Sequence, residues 1–191
     1  HFFFYSLVIA AYVLAQGATM HLIAPAQRVL FGHLAYFGSF ICLPQGVRVL
    51  STMYFGWRAI VPLAIGSLIG RYIFSTDTVW AEAQPHLIAS AVVGGTSAFL
   101  AFEIFRAFGK DCYASKDRDA HWRQVMLVGS FAAVLNGAGL GFVFLDQTPA
   151  EHWLAIQLVS VFGSIFGLLV TMLTLMLIFR WIRIANHASK L

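Results

Sequence analysis

The stretch LPQGVRVLSTMYFGWRAIVPLAIGSLIG, Leu43–Gly70, decides how this chain is read. Two apolar runs are interrupted by Pro44 and Gly46, with Arg48 and Arg58 set among aliphatic and aromatic neighbours. In a soluble protein such a stretch would be a surface turn. Here the surroundings forbid that reading, because 60% of the residues are hydrophobic and only 10% are charged. Soluble domains carry about 25% charged residues, and this chain has too few to cover a globular surface. An apolar exterior is tolerated in lipid, so the expectation is an all-α, polytopic membrane protein, with residues 1–191 as a single transmembrane helical bundle.

A helix needs about 20 apolar residues to cross a bilayer. Working outward from the quoted stretch, the sequence predicts about six crossings with a short or broken second helix. They are Phe2 to Ala24, broken by Pro25; a short run from about Val29 to Leu43, ending at Pro44; and Phe55 to Phe74. Pro85 to Phe108, Trp122 to Leu145 and His152 to about Ile184 follow, the last continuing as helix beyond the membrane. The opening FFFYSLVIAAYVLA is read as a span rather than a leader, since no cationic segment stands before it. A start at His1 rather than Met implies residues upstream.

Lysine and arginine in the loops set the orientation. The connection Arg106–Gln124 holds Arg106, Lys110, Lys116, Arg118 and Arg123, and the tail holds Arg180, Arg183 and Lys190. Both are expected in the cytoplasm, together with both termini and the turn bearing Arg48 and Arg58. The acidic loops STDTVWAEAQ and LDQTPAEH then face outside. The net charge of +4 belongs to this pattern and not to nucleic-acid binding.

Pro44 and Gly46 free backbone groups that lipid cannot satisfy, so the segment has two readings. It is an interfacial turn whose arginines snorkel to the cytoplasmic surface, or a re-entrant element lining a polar cavity. Small-residue spacings Gly66–Gly70, Gly137–Gly141 and Gly163–Gly167 predict close helix packing, within the bundle or against other membrane subunits. Thr96 and Ser97, in VVGGTSAF, are expected to bond to their own helix.

Few residues could carry chemistry. His21, His33, His86 and His152 fall near the outer helix ends, but no pair has metal-ligand spacing, so no metal site is assigned. Glu103 is the one acid in a hydrophobic run; it is a ligand contact or proton relay, or an interfacial partner of Arg106, Arg48 or Arg58. Asn136 and Gln157 are polar at depth, and Gln16 belongs to the same class. The candidate ligand-binding set is therefore Pro44, Gly46, Arg48, Arg58, Glu103, Asn136 and Gln157. No nucleophile–base arrangement, HExxH, Walker or Rossmann fingerprint is present, so no catalytic residue is assigned and a non-enzymatic role is expected. Cys42 and Cys112 form no framework. Nothing in the sequence names a cofactor.

Pro44, Gly46, Phe55, Gly56, Arg58, Pro62 and Gly66 together resemble the MASE1-type membrane sensory domains of bacteria. That resemblance covers about a sixth of the chain, and implies a sensing or small-ligand-binding module of the bacterial inner membrane. The size, helix count and SVFGSIFGLLV in the last helix are also similar, at the level of the fold, to substrate-binding subunits of energy-coupling-factor transporters. Three functions follow as expectations: a ligand-binding sensory module, an accessory subunit of a larger membrane complex, or a transporter subunit.

Overall fold

The computed structural model describes residues 2–31, 40–74, 77–114, 122–147 and 150–188. Among them the secondary structure is helical throughout: α1 (Phe2–Ala18), α2 (Ala24–Phe31), α3 (Leu43–Phe55), α4 (Ile60–Phe74), α5 (Asp77–Ala107), α6 (Trp122–Val143) and α7 (Ala150–Ala188). Among the described residues, five stretches are long and apolar enough to cross a membrane: Phe3–Gln27, Leu43–Phe74, His86–Ala107, Trp122–Val143 and Trp153–Ile184. Large apolar side chains stand exposed along them, including Leu14, Ile65, Val92, Leu127, Val134, Phe162 and Phe166. Such a surface suits lipid and would aggregate in water.

Pro25 does not end the first helix. A π-helical turn, Thr19–Ile23, joins α1 directly to α2. Proline clashes with the carbonyl four residues back and lacks its own N–H. Widening the helix over the preceding turn relieves that conflict, and the Ala24 N–H reaches the Thr19 carbonyl instead.

The second run is also corrected. Residues 32–39, within the expected Val29–Leu43 helix, lie outside the described residues. The short helix that is seen is α3, which begins at Leu43 with Pro44 in its first turn. Proline is favoured there because the first N–H groups have no intrahelical partner anyway. Gly46 is inside this helix, not at a turn. A Cβ on it would collide with the side chain of Thr171 on α7, so the glycine lets the two helices touch.

The chain turns instead at Gly56, whose φ of 56° and ψ of −136° belong to glycine's territory. A single turn of 3₁₀-helix, Gly56–Ala59, then leads into α4. Contacts with α1 show the sense of each arm. Leu43 lies beside Thr19, Arg48 beside Tyr12 and Phe55 against Phe4, so α3 runs antiparallel to α1. Gly66 packs on Tyr12, Gly70 on Gln16 and Phe74 on Gly17, so α4 runs parallel to it. The Leu43–Phe74 stretch is thus a hairpin, and its α3 arm of 13 residues is only about 20 Å long.

Helix α5 starts at Asp77, so Pro85 lies within it rather than at its beginning. The glycine spacings are consumed inside the chain. Gly66 and Gly70 seat α1; Gly137 and Gly141 receive Val161 and Gln157 of α7; Gly167 receives the backbone of Cys42. The interior has two apolar clusters. One joins Val49 and Met53 of α3 to Ala98 and Phe102 of α5, Val128 of α6 and Leu168 of α7. The other joins Val8 and Tyr12 of α1 to Ala59 and Leu63.

Candidate functional site

Between these clusters lies a polar seam, and α3 supplies most of it. Gln45, Arg48 and Thr52 are spaced i, i+3 and i+7, which puts them on one helix face. All three are buried: Gln45 and Thr52 are 0% exposed and Arg48 is 7% exposed. Arg48 Nη2 donates to the Tyr12 hydroxyl on α1 at 2.6 Å, and its Nη1 donates to Asn136 Oδ1 on α6 at 3.3 Å. Its guanidinium carbon lies 5.3 Å from the centre of the Tyr12 ring, within cation–π range. Gly94 of α5 closes the third side, and a Cβ there would sit 2.7 Å from Arg48 Nη2. Arg48 is therefore surrounded by α1, α5 and α6.

The depth of this site is set by its partners. Gly94 and Asn136 lie about two turns inside the His86 and Val143 ends of their spans, roughly 10–12 Å. Those ends are fastened together, with His86 Nδ1 2.9 Å from the Val143 carbonyl. Arg48 is thus buried inside the bundle, away from those span ends. Of the two expectations for Arg48, a snorkelling side chain or one engaged with a partner, its burial and its bonds to neutral acceptors on α1 and α6 fit the second.

The remaining candidates divide. Asn136 joins Arg48 directly. Pro44 and Gly46 begin α3 and seat it against α7, one turn before Arg48. Arg58 stands exposed at the hairpin turn, 5.9 Å from the Trp57 ring centre, away from the seam. Gln157 bridges α7 to α6: with its amide oriented so that both groups are matched, it donates to the Gly137 carbonyl at 2.6 Å and accepts from the Gly141 N–H at 3.3 Å. Thr96 and Ser97 bond to carbonyls of their own helix. His33 lies outside the described residues. Sequence reasoning missed Tyr12, Gln45 and Thr52.

Glu103 belongs to the opposite end. Its Oε1 lies 3.7 Å from Arg106 Nη1 and accepts a 2.8 Å hydrogen bond from the Tyr113 hydroxyl. The loop carrying Tyr113 is tied to the end of α3 by the Ala114 N–H, which donates to the Met53 carbonyl at 3.0 Å. Partial burial, and then the bond to the Glu103 carboxylate, hold the Tyr113 phenol above its ordinary range. The folded chain keeps that proton more tightly than the unfolded chain. The stability gained is whole below about pH 10 and is lost as pH rises beyond it. Melting midpoints followed into the alkaline range should fall more steeply for the native chain than for Tyr113→Phe. Equal slopes would refute this.

Clefts border α3 on both outer sides. One, of ≈ 250 Å³, opens against α1 and α7 at Val8, Val47, Leu50 and Thr171. The other, of ≈ 460 Å³, opens against α6 and α7 at Met53, Val125, Met172 and Phe179. Both are apolar, so the polar seam lies behind the helix that separates them. No protein-family model, curated protein or solved structure matches this chain.

Proposed function

We propose that this chain is a non-enzymatic, multi-pass module of the bacterial inner membrane that binds a small ligand inside its helical bundle, in the manner of a sensory domain. In this reading α1, α3, α4, α5, α6 and α7 make six passes. The basic connection Arg106–Gln124 and both termini lie in the cytoplasm, as the distribution of lysine and arginine favours. The short reach of α3 is then compensated by its burial among longer helices.

One observation carries the proposal: a buried arginine at the junction of α1, α3, α5 and α6, flanked by Gln45 and Thr52. Ionisable groups at this depth are costly, and function is the usual reason that they are retained. The clefts on both sides of α3 give that helix room to shift, which is what a sensor needs to convert occupancy into movement. The sequence resemblance of Pro44, Gly46, Phe55, Gly56, Arg58, Pro62 and Gly66 to MASE1-type domains points the same way.

The test is extraction of the native chain in a mild uncharged detergent, followed by native mass spectrometry. A bound small molecule of defined mass, absent from the Arg48→Gln chain, is expected. Identical spectra for the two chains would defeat the proposal.

A second reading is favoured by α7. Its C-terminal part leaves Phe179, Trp181, Ile182 and Ile184 exposed beyond the packed bundle. Such a stalk suits an accessory subunit docked on a larger membrane complex, and co-purification of that complex would support it.

A further inference from the structure

We propose that the ligand carries an anionic head group, a carboxylate or a phosphate, received by Arg48 together with Gln45 and Thr52. This rests on the reading that the bundle binds a small ligand.

Charge makes the first argument. The five spans contain one acid between them, Glu103, and it is engaged with Arg106 and Tyr113 at the far end of the bundle. The acceptors that hold Arg48, Tyr12 and Asn136, are both neutral. Arg71 of α4, which interacts electrostatically with Arg48, adds a second positive charge and not a compensating one. A guanidinium in a low-dielectric interior is expensive unless an anion accompanies it. No side chain among the described residues supplies one.

Hydrogen bonding makes the second argument, independently of charge. Arg48 Nε, both amide atoms of Gln45 and the Thr52 hydroxyl are buried without a protein partner. Buried polar atoms are otherwise almost always paired. Here the orphans cluster on three successive turns of one face of one helix. Three of them are donors: the Arg48 Nε–H, the Gln45 amide N–H and the Thr52 O–H. Unpaired donors on the helix face that carries a cation match an oxyanion, and charge-assisted bonds to it are the strong kind. A neutral polar ligand would satisfy the hydrogen bonds but leave the charge.

The head group could come from a free metabolite or from an anionic lipid, and the test separates them. The purified native chain would be melted in uncharged detergent with hexanoate, hexyl phosphate or phosphatidylglycerol, each set against a neutral control: hexanamide, hexanol or phosphatidylcholine. At least one anionic probe should raise the melting temperature, with an apparent affinity about tenfold or more above its neutral control. Stabilisation by phosphatidylglycerol alone would identify a lipid head group; stabilisation by the short probes would identify a soluble ligand. Arg48→Gln should erase the preference for the anion. Thr52→Val provides the control for folding: its hydroxyl has no protein partner, so the variant should melt at or above the native temperature while binding about tenfold more weakly.

Equal binding of charged and neutral probes would overturn the anion and leave ligand binding standing. Native affinity in Thr52→Val would overturn the assigned seat. Failure of every probe would overturn the anion, and would overturn ligand binding as well only where mass spectrometry also finds nothing bound.

Discussion

Gly167→Ala is expected to destabilise the bundle by about 3 kcal/mol or more, the top of the range for overpacking. The atom added would fall on the backbone of Cys42, not on a side chain that could rotate away. That backbone is fixed from three directions. The Cys42 N–H donates to the Gly163 carbonyl at 2.9 Å, the Leu43 N–H donates to the Thr19 hydroxyl at 3.3 Å, and the Phe40 N–H donates to Gln27 Oε1 at 3.1 Å. Relieving the clash means breaking at least one of these, at about 1 kcal/mol each. It also tilts the start of α3 and so moves Arg48. Gly137→Ala provides the comparison. Its Cβ would crowd the Val161 Cγ2 methyl at 2.7 Å, which a small rotamer change relieves, and would lie at ordinary contact distance, 3.6 Å, from the Gln157 side chain, so a cost of about 1–2 kcal/mol is expected. Denaturant or thermal unfolding in detergent ranks the two. A Gly167→Ala chain no less stable than Gly137→Ala would refute the close seating of Cys42 on α7.

This contrast also shows where the sequence was legible. Composition alone was enough for helices in lipid, because apolar runs of span length leave no other solution. The small-residue spacings foretold close packing, and Gly66, Gly70, Gly137, Gly141 and Gly167 each receive a neighbouring element. The i, i+3 relation of Glu103 and Arg106 foretold their contact, since local spacing fixes local geometry. The prolines misled. The rule that proline stops or starts a helix gives the wrong boundary at Pro44, Pro25 and Pro85. Pro44 opens one, Pro25 is absorbed by a π turn, and Pro85 lies within α5. Reading Pro44 as a stop hid α3, and without α3 the i, i+3, i+7 alignment of Gln45, Arg48 and Thr52 could not be seen. The position of Arg48 was beyond local reasoning in any case. Its partners stand 36 and 88 residues away in the chain, and nothing near it reveals which helices will enclose it.

The second large effect concerns Gln45 and has the opposite sign. Gln45→Met is expected to raise the stability of the ligand-free chain by about 1–3 kcal/mol, the cost of leaving a buried polar group unsatisfied. Gln45 is 0% exposed, and neither its Oε1 nor its Nε2 has a protein partner. Methionine has nearly the same length and volume and enough flexibility to fit the same space, so no cavity or clash offsets the gain. A residue retained for packing should not behave this way: its replacement by an apolar isostere would be neutral at best, and mutations in a well-packed interior usually destabilise. A gain in melting temperature joined to a loss of ligand response would show that the seam exchanges stability for recognition. A loss of stability would mean that Gln45 is paired in the folded protein, and the orphaned donors on which the anion site depends would be reduced to those of Arg48 and Thr52. The sign of this one change therefore separates a polar seam built for a ligand from one built to hold helices together.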